Sequence, residues 1–141
     1  MGIVSTRSRY GLRFLVELGR NSGKELVDLG SIARLEAIPE PYLIKLAARL
    51  RDAGIIVSSR GAKGGFKLAK PPERINLAEV VEALEGRSGL FGCTERPESC
   101  SRSGSCPTIS VWRGLERTIK DYLTGISIAD LSIPGEMDYS I

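Results

Sequence analysis

The sequence predicts a mainly α-helical fold carrying one small β-hairpin and ending in a long C-terminal helix. Apolar residues recur at spacings of three and four through most of the chain. Two short β-branched or alternating runs, 55–59 and 66–69, are separated by a loop with three glycines. A chain of 141 residues is long enough to close one core without disulfide staples.

Ser5 to Arg20 reads as the first helix, capped by Ser5, with Tyr10, Phe14, Leu15 and Leu18 at helical spacing. Asn21-Ser22-Gly23 ends it. Asp28 is suited to cap a short helix carrying Leu29, Ile32, Ala33 and Leu35. Ile38-Pro39-Glu40-Pro41 is a turn into a third helix, from about Glu40 to Ala53, with Leu43, Leu46, Ala47 and Leu50 inward. Gly54 stands where a helix end wants a left-handed residue. Ile55–Ser59 and Phe66–Ala69 make a hairpin whose tip, Arg60-Gly61-Ala62-Lys63-Gly64-Gly65, is basic. Asn76 is placed to cap a helix from Leu77 to about Glu85. Pro107 opens a final long helix to about Thr124, Ile126–Leu131 adds a short helical turn, and 134–141 reads as a tail. Three helices followed by a hairpin is the order of a winged helix-turn-helix.

In such a fold the exposed third helix enters the DNA major groove by its N-terminal residues. Those are Glu40, Pro41, Tyr42, Ile44 and Lys45 here. Tyr42 and Lys45 offer hydrogen bonds, and Pro41 and Ile44 suit thymine methyls. Arg49 and Arg51 suit phosphates or ion pairs within the helix. At the hairpin tip, Arg60 beside Gly61 suits a narrow minor groove, and Lys63 and Lys67 suit phosphates. Plainer roles stay open: Tyr42 as a half-buried core residue, and Arg60 as a solubilising tip charge.

Charge supports a polyanion partner for this half. Residues 1–75 carry a net +7 and residues 76–141 a net −4. The division follows the same line: 1–75 as the winged helix-turn-helix domain, and 76–141 as a cysteine loop (86–107), a dimerisation helix (107–124) and a tail. There is no histidine, no phosphate-binding Gly-Lys-Ser/Thr loop and no paired-carboxylate site to place, so an enzyme is not expected. No 18-residue stretch lacks charge and the N-terminus has no apolar signal core, so no membrane partner and a cytoplasmic location are expected.

Residues 86–107 lose all periodicity and hold the three cysteines, Cys93, Cys100 and Cys106. Thiolates are soft ligands that suit iron–sulfur clusters, and a Gly/Ser-rich loop can wrap one. Zinc with a fourth ligand, or a thiol switch without metal, fits the same trio. Beyond the loop, Trp112, Leu115, Ile119 and Tyr122 form a heptad-like stripe, suited to pairing with a second helix or to packing on its own domain.

The segments 5–12, 41–43, 50–56, 59–66 and 79–86, the three cysteines, and Trp112-Arg113 resemble the Rrf2 family of bacterial transcriptional regulators, of the IscR, NsrR, RirA and CymR type. The resemblance covers roughly residues 3–131. It implies a homodimer held by the long C-terminal helices, with two winged heads on a palindromic operator in double-stranded DNA. It places the DNA contacts on Pro41, Tyr42, Lys45, Arg60 and Gly61. It puts an iron–sulfur cluster on Cys93, Cys100 and Cys106, with a 4Fe–4S cluster favoured over 2Fe–2S. The cluster would sense redox state, nitric oxide or iron–sulfur status, and the regulator would be a repressor. The fourth ligand is unassigned: a histidine three positions past the last cysteine is replaced by Ile109, and the acidic residue some members carry near the first helix is replaced by Arg9. Glu95, Glu98 or a solvent molecule remain as candidates. The alternative within the family is a cluster-free regulator controlled by thiol oxidation or by a partner metabolic enzyme.

Overall fold

A computed structural model describes residues 4–23, 26–59, 65–86, 101–102 and 104–133. The order is α1 (Thr6–Arg20), α2 (Leu29–Glu36), α3 (Glu40–Asp52), β1 (Ile56–Ser59), β2 (Gly65–Leu68), a 3-10 turn (Pro72–Arg74), α4 (Leu77–Glu85), α5 (Ile109–Thr124) and α6 (Ile128–Leu131). Helices carry the fold and the two strands form an antiparallel hairpin, as the pattern predicts.

The helices begin where polar side chains satisfy their first amides. Ser5 accepts from the Arg7 amide, Asp28 from Ser31, Asn76 from Glu79 and Ser127 from Asp130. The helix-turn-helix corner is sharp because Ala37 closes α2 in the left-handed region, at φ 54° and ψ 44°. α3 then starts on Pro39 and Glu40-Pro41, and prolines lose no amide bond in a first turn.

The core joins Phe14, Leu15 and Leu18 of α1, Ile32 of α2, and Leu43, Leu46 and Leu50 of α3 to Ile56, Ile75, Val80, Leu84 and Ile128. It therefore runs past residue 75, because α4 and Ile128 bury their apolar faces against the first three helices. Leu35 departs from the periodic reading. It shares α2 with inward residues yet is 68% exposed.

The hairpin pairs Ile56 with Leu68 and Ser59 with Gly65. Val27, just before α2, extends it by exchanging two 2.9 Å backbone bonds with Phe66. Gly65 permits this approach: a Cβ there would lie 2.6 Å from the Val27 carbonyl oxygen. After α5 the chain returns to the head. The Leu77 amide bonds the Ile126 carbonyl and the Ile128 amide bonds the Ile75 carbonyl, both at 2.9 Å.

Candidate nucleic-acid interface and cysteine segment

α3 is two-faced. Leu43, Leu46, Ala47 and Leu50 are buried, while Glu40, Pro41, Ile44, Lys45 and Arg51 are exposed. Ile44 is 53% exposed, a large apolar side chain on the outer face of the helix. Tyr42 lies between the two faces. It is half-buried, and its ring meets Tyr10 of α1 edge to face at 5.9 Å. Its partial burial and ring contact fit the half-buried role.

Arg49 does a structural job. Its Nη1 donates to the Leu84 carbonyl at 3.0 Å, near the C-terminus of α4, where unpaired carbonyls favour a cation. The wing-tip residues Arg60, Gly61 and Lys63 lie outside the described residues. The strands that carry them are described, and Lys67 of β2 is exposed.

Two sets of contacts around this face join residues far apart in the sequence. Arg13 of α1 donates Nε to the Glu36 carboxylate at 2.9 Å and Nη2 to the Glu36 carbonyl, tying α1 to the end of α2. The same guanidinium lies over the Tyr10 ring, 5.4 Å from its centroid. Glu85, the last residue of α4, accepts from the Ser5 amide at 2.9 Å, the Ser5 hydroxyl at 2.8 Å and the buried Ser8 hydroxyl at 2.6 Å. Arg7 adds an ion pair at 3.3 Å. Burial alone would raise the Glu85 pKa. The hydroxyls of Ser8 and Ser5, the Ser5 amide and Arg7 outweigh it and hold the carboxyl at about 2. Glu17 goes the other way: burial, and a hydrogen bond to Glu36 that favours the protonated form, raise its pKa, and Arg20 only partly offsets them.

Of the cysteines, Cys93 and Cys100 lie outside the described residues, while Cys106 stands two residues before Thr108, the N-cap of α5. Its sulfur is 3.1 Å from the Thr108 hydroxyl. That hydroxyl, followed by the Thr108 and Ile109 amides, lowers the thiol pKa. A thiol so placed suits the thiolate that a soft metal or cluster takes as a ligand. Ile109 is the buried residue of α5, an apolar anchor with no atom to offer a metal. Among the described residues, no three His, Cys, Asp or Glu side chains gather as a metal site.

α5 starts at Ile109, two residues later than the Pro107 opening, because Pro107 and Thr108 form a turn first. The predicted stripe is largely uncovered. Tyr122 is 70% and Leu115 39% exposed, Trp112 and Ile119 are half-buried, and Val111 beside them is 58% exposed. Among the described residues, no helix is long and apolar enough to cross a membrane.

A helix-turn-helix with a bare third helix and a two-stranded wing defines a winged-helix regulator. Comparisons with known proteins agree. The family model described as "Rrf2: Iron-dependent Transcriptional regulator" matches residues 4–133. Protein rrf2 of Nitratidesulfovibrio vulgaris is 36% identical over 128 residues, covering 91% of this chain and 85% of that protein. The structure of CymR, the global cysteine regulator of B. subtilis, superposes with a TM-score of 0.76 at 31% identity, covering 94% of this chain and 97% of that one. IscR of T. potens gives a TM-score of 0.73 at 36% identity, covering 91% and 84%. The chain belongs to the Rrf2 family: it is a transcriptional regulator similar to CymR and IscR, and these relatives and structural neighbours are regulators rather than enzymes.

Proposed function

We propose that this regulator is a dimeric repressor that grips a palindromic operator with two winged heads, and that Cys93, Cys100 and Cys106 report the signal. The observation that carries the DNA reading is the outer face of α3. Pro41, Ile44 and Lys45 stand exposed in its first two turns, opposite the buried Leu43, Leu46 and Leu50. Pro41, Tyr42 and Lys45 read the major groove from there, while Arg60, Gly61 and Lys63 of the wing take the minor groove and its phosphates. Arg49 keeps further guanidinium donors for a phosphate beyond its bond to Leu84. Trp112, Leu115, Ile119 and Tyr122 pair α5 with its copy in a second chain. A homodimer then offers two heads at a fixed spacing, which a palindrome requires.

Cys93, Cys100 and Cys106 would hold an iron–sulfur cluster, of the 4Fe–4S kind, with a fourth ligand from outside this trio. When bound, such a cluster supplies a centre reactive toward redox change and nitric oxide. The lowered thiol of Cys106 supports this. The same observation favours the second reading, a cluster-free regulator in which Cys106 itself responds to oxidants. In both readings the signal arrives one turn before α5, so a change there moves the dimer helix directly.

An anaerobic visible spectrum with iron and sulfide assays separates the two. Broad visible absorbance with stoichiometric iron and sulfide supports the cluster. A colourless protein that also resists reconstitution leaves the thiol reading. Salt-dependent binding of duplex DNA selected from a random pool tests the regulator's grip in either case. A protein that retains no duplex at low salt overturns the DNA interface.

A further inference from the structure

We infer that Tyr10 and Arg13 of α1 are positioning residues that fix how the third helix presents Tyr42 to DNA. This rests on Tyr42 meeting the operator as proposed above. The observation is an unbroken chain of contacts through all three helices of the head. Glu36 ends α2 and holds Arg13 by two acceptors, its carboxylate at 2.9 Å and its carbonyl. A guanidinium fixed by two acceptors keeps its plane. Arg13 lies over the Tyr10 ring, 5.4 Å from the centroid. Tyr10 in turn meets Tyr42 at 5.9 Å with the rings 84° apart.

Each link removes a freedom from the next. The guanidinium restrains the tilt of Tyr10, and the edge-to-face contact restrains the rotamer of Tyr42. Tyr42 stands in the first turn of α3 and is only half-buried, so the restrained ring leaves its hydroxyl to meet a base edge or phosphate. A side chain fixed before binding loses less freedom on binding. Neither Tyr10 nor Arg13 lies on α3, yet both act on what α3 offers. Glu36 directly precedes the Ala37 corner, so the same chain also ties that corner to α1.

The test uses the full chain and a duplex selected by it from a random pool, with affinities measured by fluorescence anisotropy and folding checked by thermal melting. Tyr10→Phe keeps the ring and is expected to bind as the parent does. Tyr10→Leu and Arg13→Gln are expected to weaken binding by about three- to tenfold. In a Tyr42→Phe background, the same two substitutions are expected to cost less than about twofold, because the hydroxyl they aim is already gone. The Arg13 side chain is exposed to 45% and lies outside the core, so Arg13→Gln retains the test if Tyr10→Leu fails to fold. Losses of equal size in both backgrounds would overturn the positioning role, since they would then act through the head as a whole. Binding by Tyr42→Phe equal to the parent would overturn it too, by removing Tyr42 from the interface. A parent that binds no duplex at all would overturn the DNA reading beneath it, a distinct outcome.

Discussion

In the head, Ser5, Asp28 and Asn76 each accept a bond from an early amide of the helix they open. At the start of α5, Thr108 makes no such bond, and its hydroxyl meets the Cys106 sulfur instead. The two regions differ in the same sense in their packing. α1 and α3 each bury four or more residues, whereas α5, longer than either, buries Ile109. Both regions are amphipathic by sequence. Amphipathic spacing says that a face wants covering, and only the three-dimensional arrangement says whether the same chain covers it. The head covers its own. α5 leaves Tyr122, Val111 and Leu115 to the solvent of a single chain.

The sharpest way to break this contrast is to cut one aromatic ring from each region. Phe14→Ala removes a fully buried ring from the head and is expected to cost about 3–5 kcal/mol in urea unfolding. Tyr122→Ala on α5 is expected to leave the unfolding of dilute protein within about 0.5 kcal/mol. It should instead raise the concentration at which dimers appear in sedimentation. Equal destabilisation by the two would show that α5 is as much part of the head as α1.

Next in size is the carboxylate that ties α1 to α4. Glu85→Gln should cost about 2 kcal/mol at neutral pH, since charged acceptance from Ser5, Ser8 and Arg7 is lost. The sign in acid follows from its pKa. Held at about 2 against an ordinary 4.5, Glu85 gives stability that is complete above about 4.5 and is lost as pH falls toward 2. Glu17 opposes it. Its raised pKa makes the charged form a burden at neutral pH, relieved as pH falls through that raised value toward 4.5. Thermal melting against pH should thus show a shallow gain before the acid loss. Glu17→Gln should remove the gain and Glu85→Gln should blunt the loss.

The caps give a smaller and more direct comparison. Asn76→Ala should cost about 1 kcal/mol, because an amide of α4 loses its acceptor. Thr108→Ala should change stability by less than about 0.5 kcal/mol, yet raise the pKa of Cys106 by removing the hydroxyl that lowers it. Alkylation rates against pH would read that shift. Ala37→Gly has the opposite sign. It relieves a Cβ in the left-handed region and should stabilise the head by up to about 1 kcal/mol in melting experiments.

The legible parts of this molecule are the local ones. Asn76 and Leu77–Glu85 could be read off because a cap and its helix lie within ten residues of each other. The outward set Pro41, Ile44 and Lys45 was readable for the same reason: the buried positions of α3 repeat at helical spacing and the rest follow. What the sequence does not announce is contact at a distance. Glu85 and Ser5 are 80 residues apart, and no periodicity connects them. Arg49 looks like any basic residue on a recognition helix until α4 is seen to end against it. Tyr10 reads as a core residue of α1, and its second task appears only when α3 is laid across it. The cysteine spacing is legible as chemistry, but Cys106 gains its lowered thiol from the turn into α5, which begins two residues later than the proline suggests.

The bonds that join Leu77 to Ile126 and Ile128 to Ile75 also bear on how this chain is made. The head leaves a hole for Ile128 and leaves Ile75 and Leu77 with unpaired backbone groups until the far end of α5 has returned. On a ribosome, α1 to α4 emerge early but stay unfinished while the cysteine segment and all of α5 are synthesised. The winged-helix head is therefore completed only once the cysteine segment and α5 have been made, and a chain that stalls before residue 126 releases a head lacking its last core side chain.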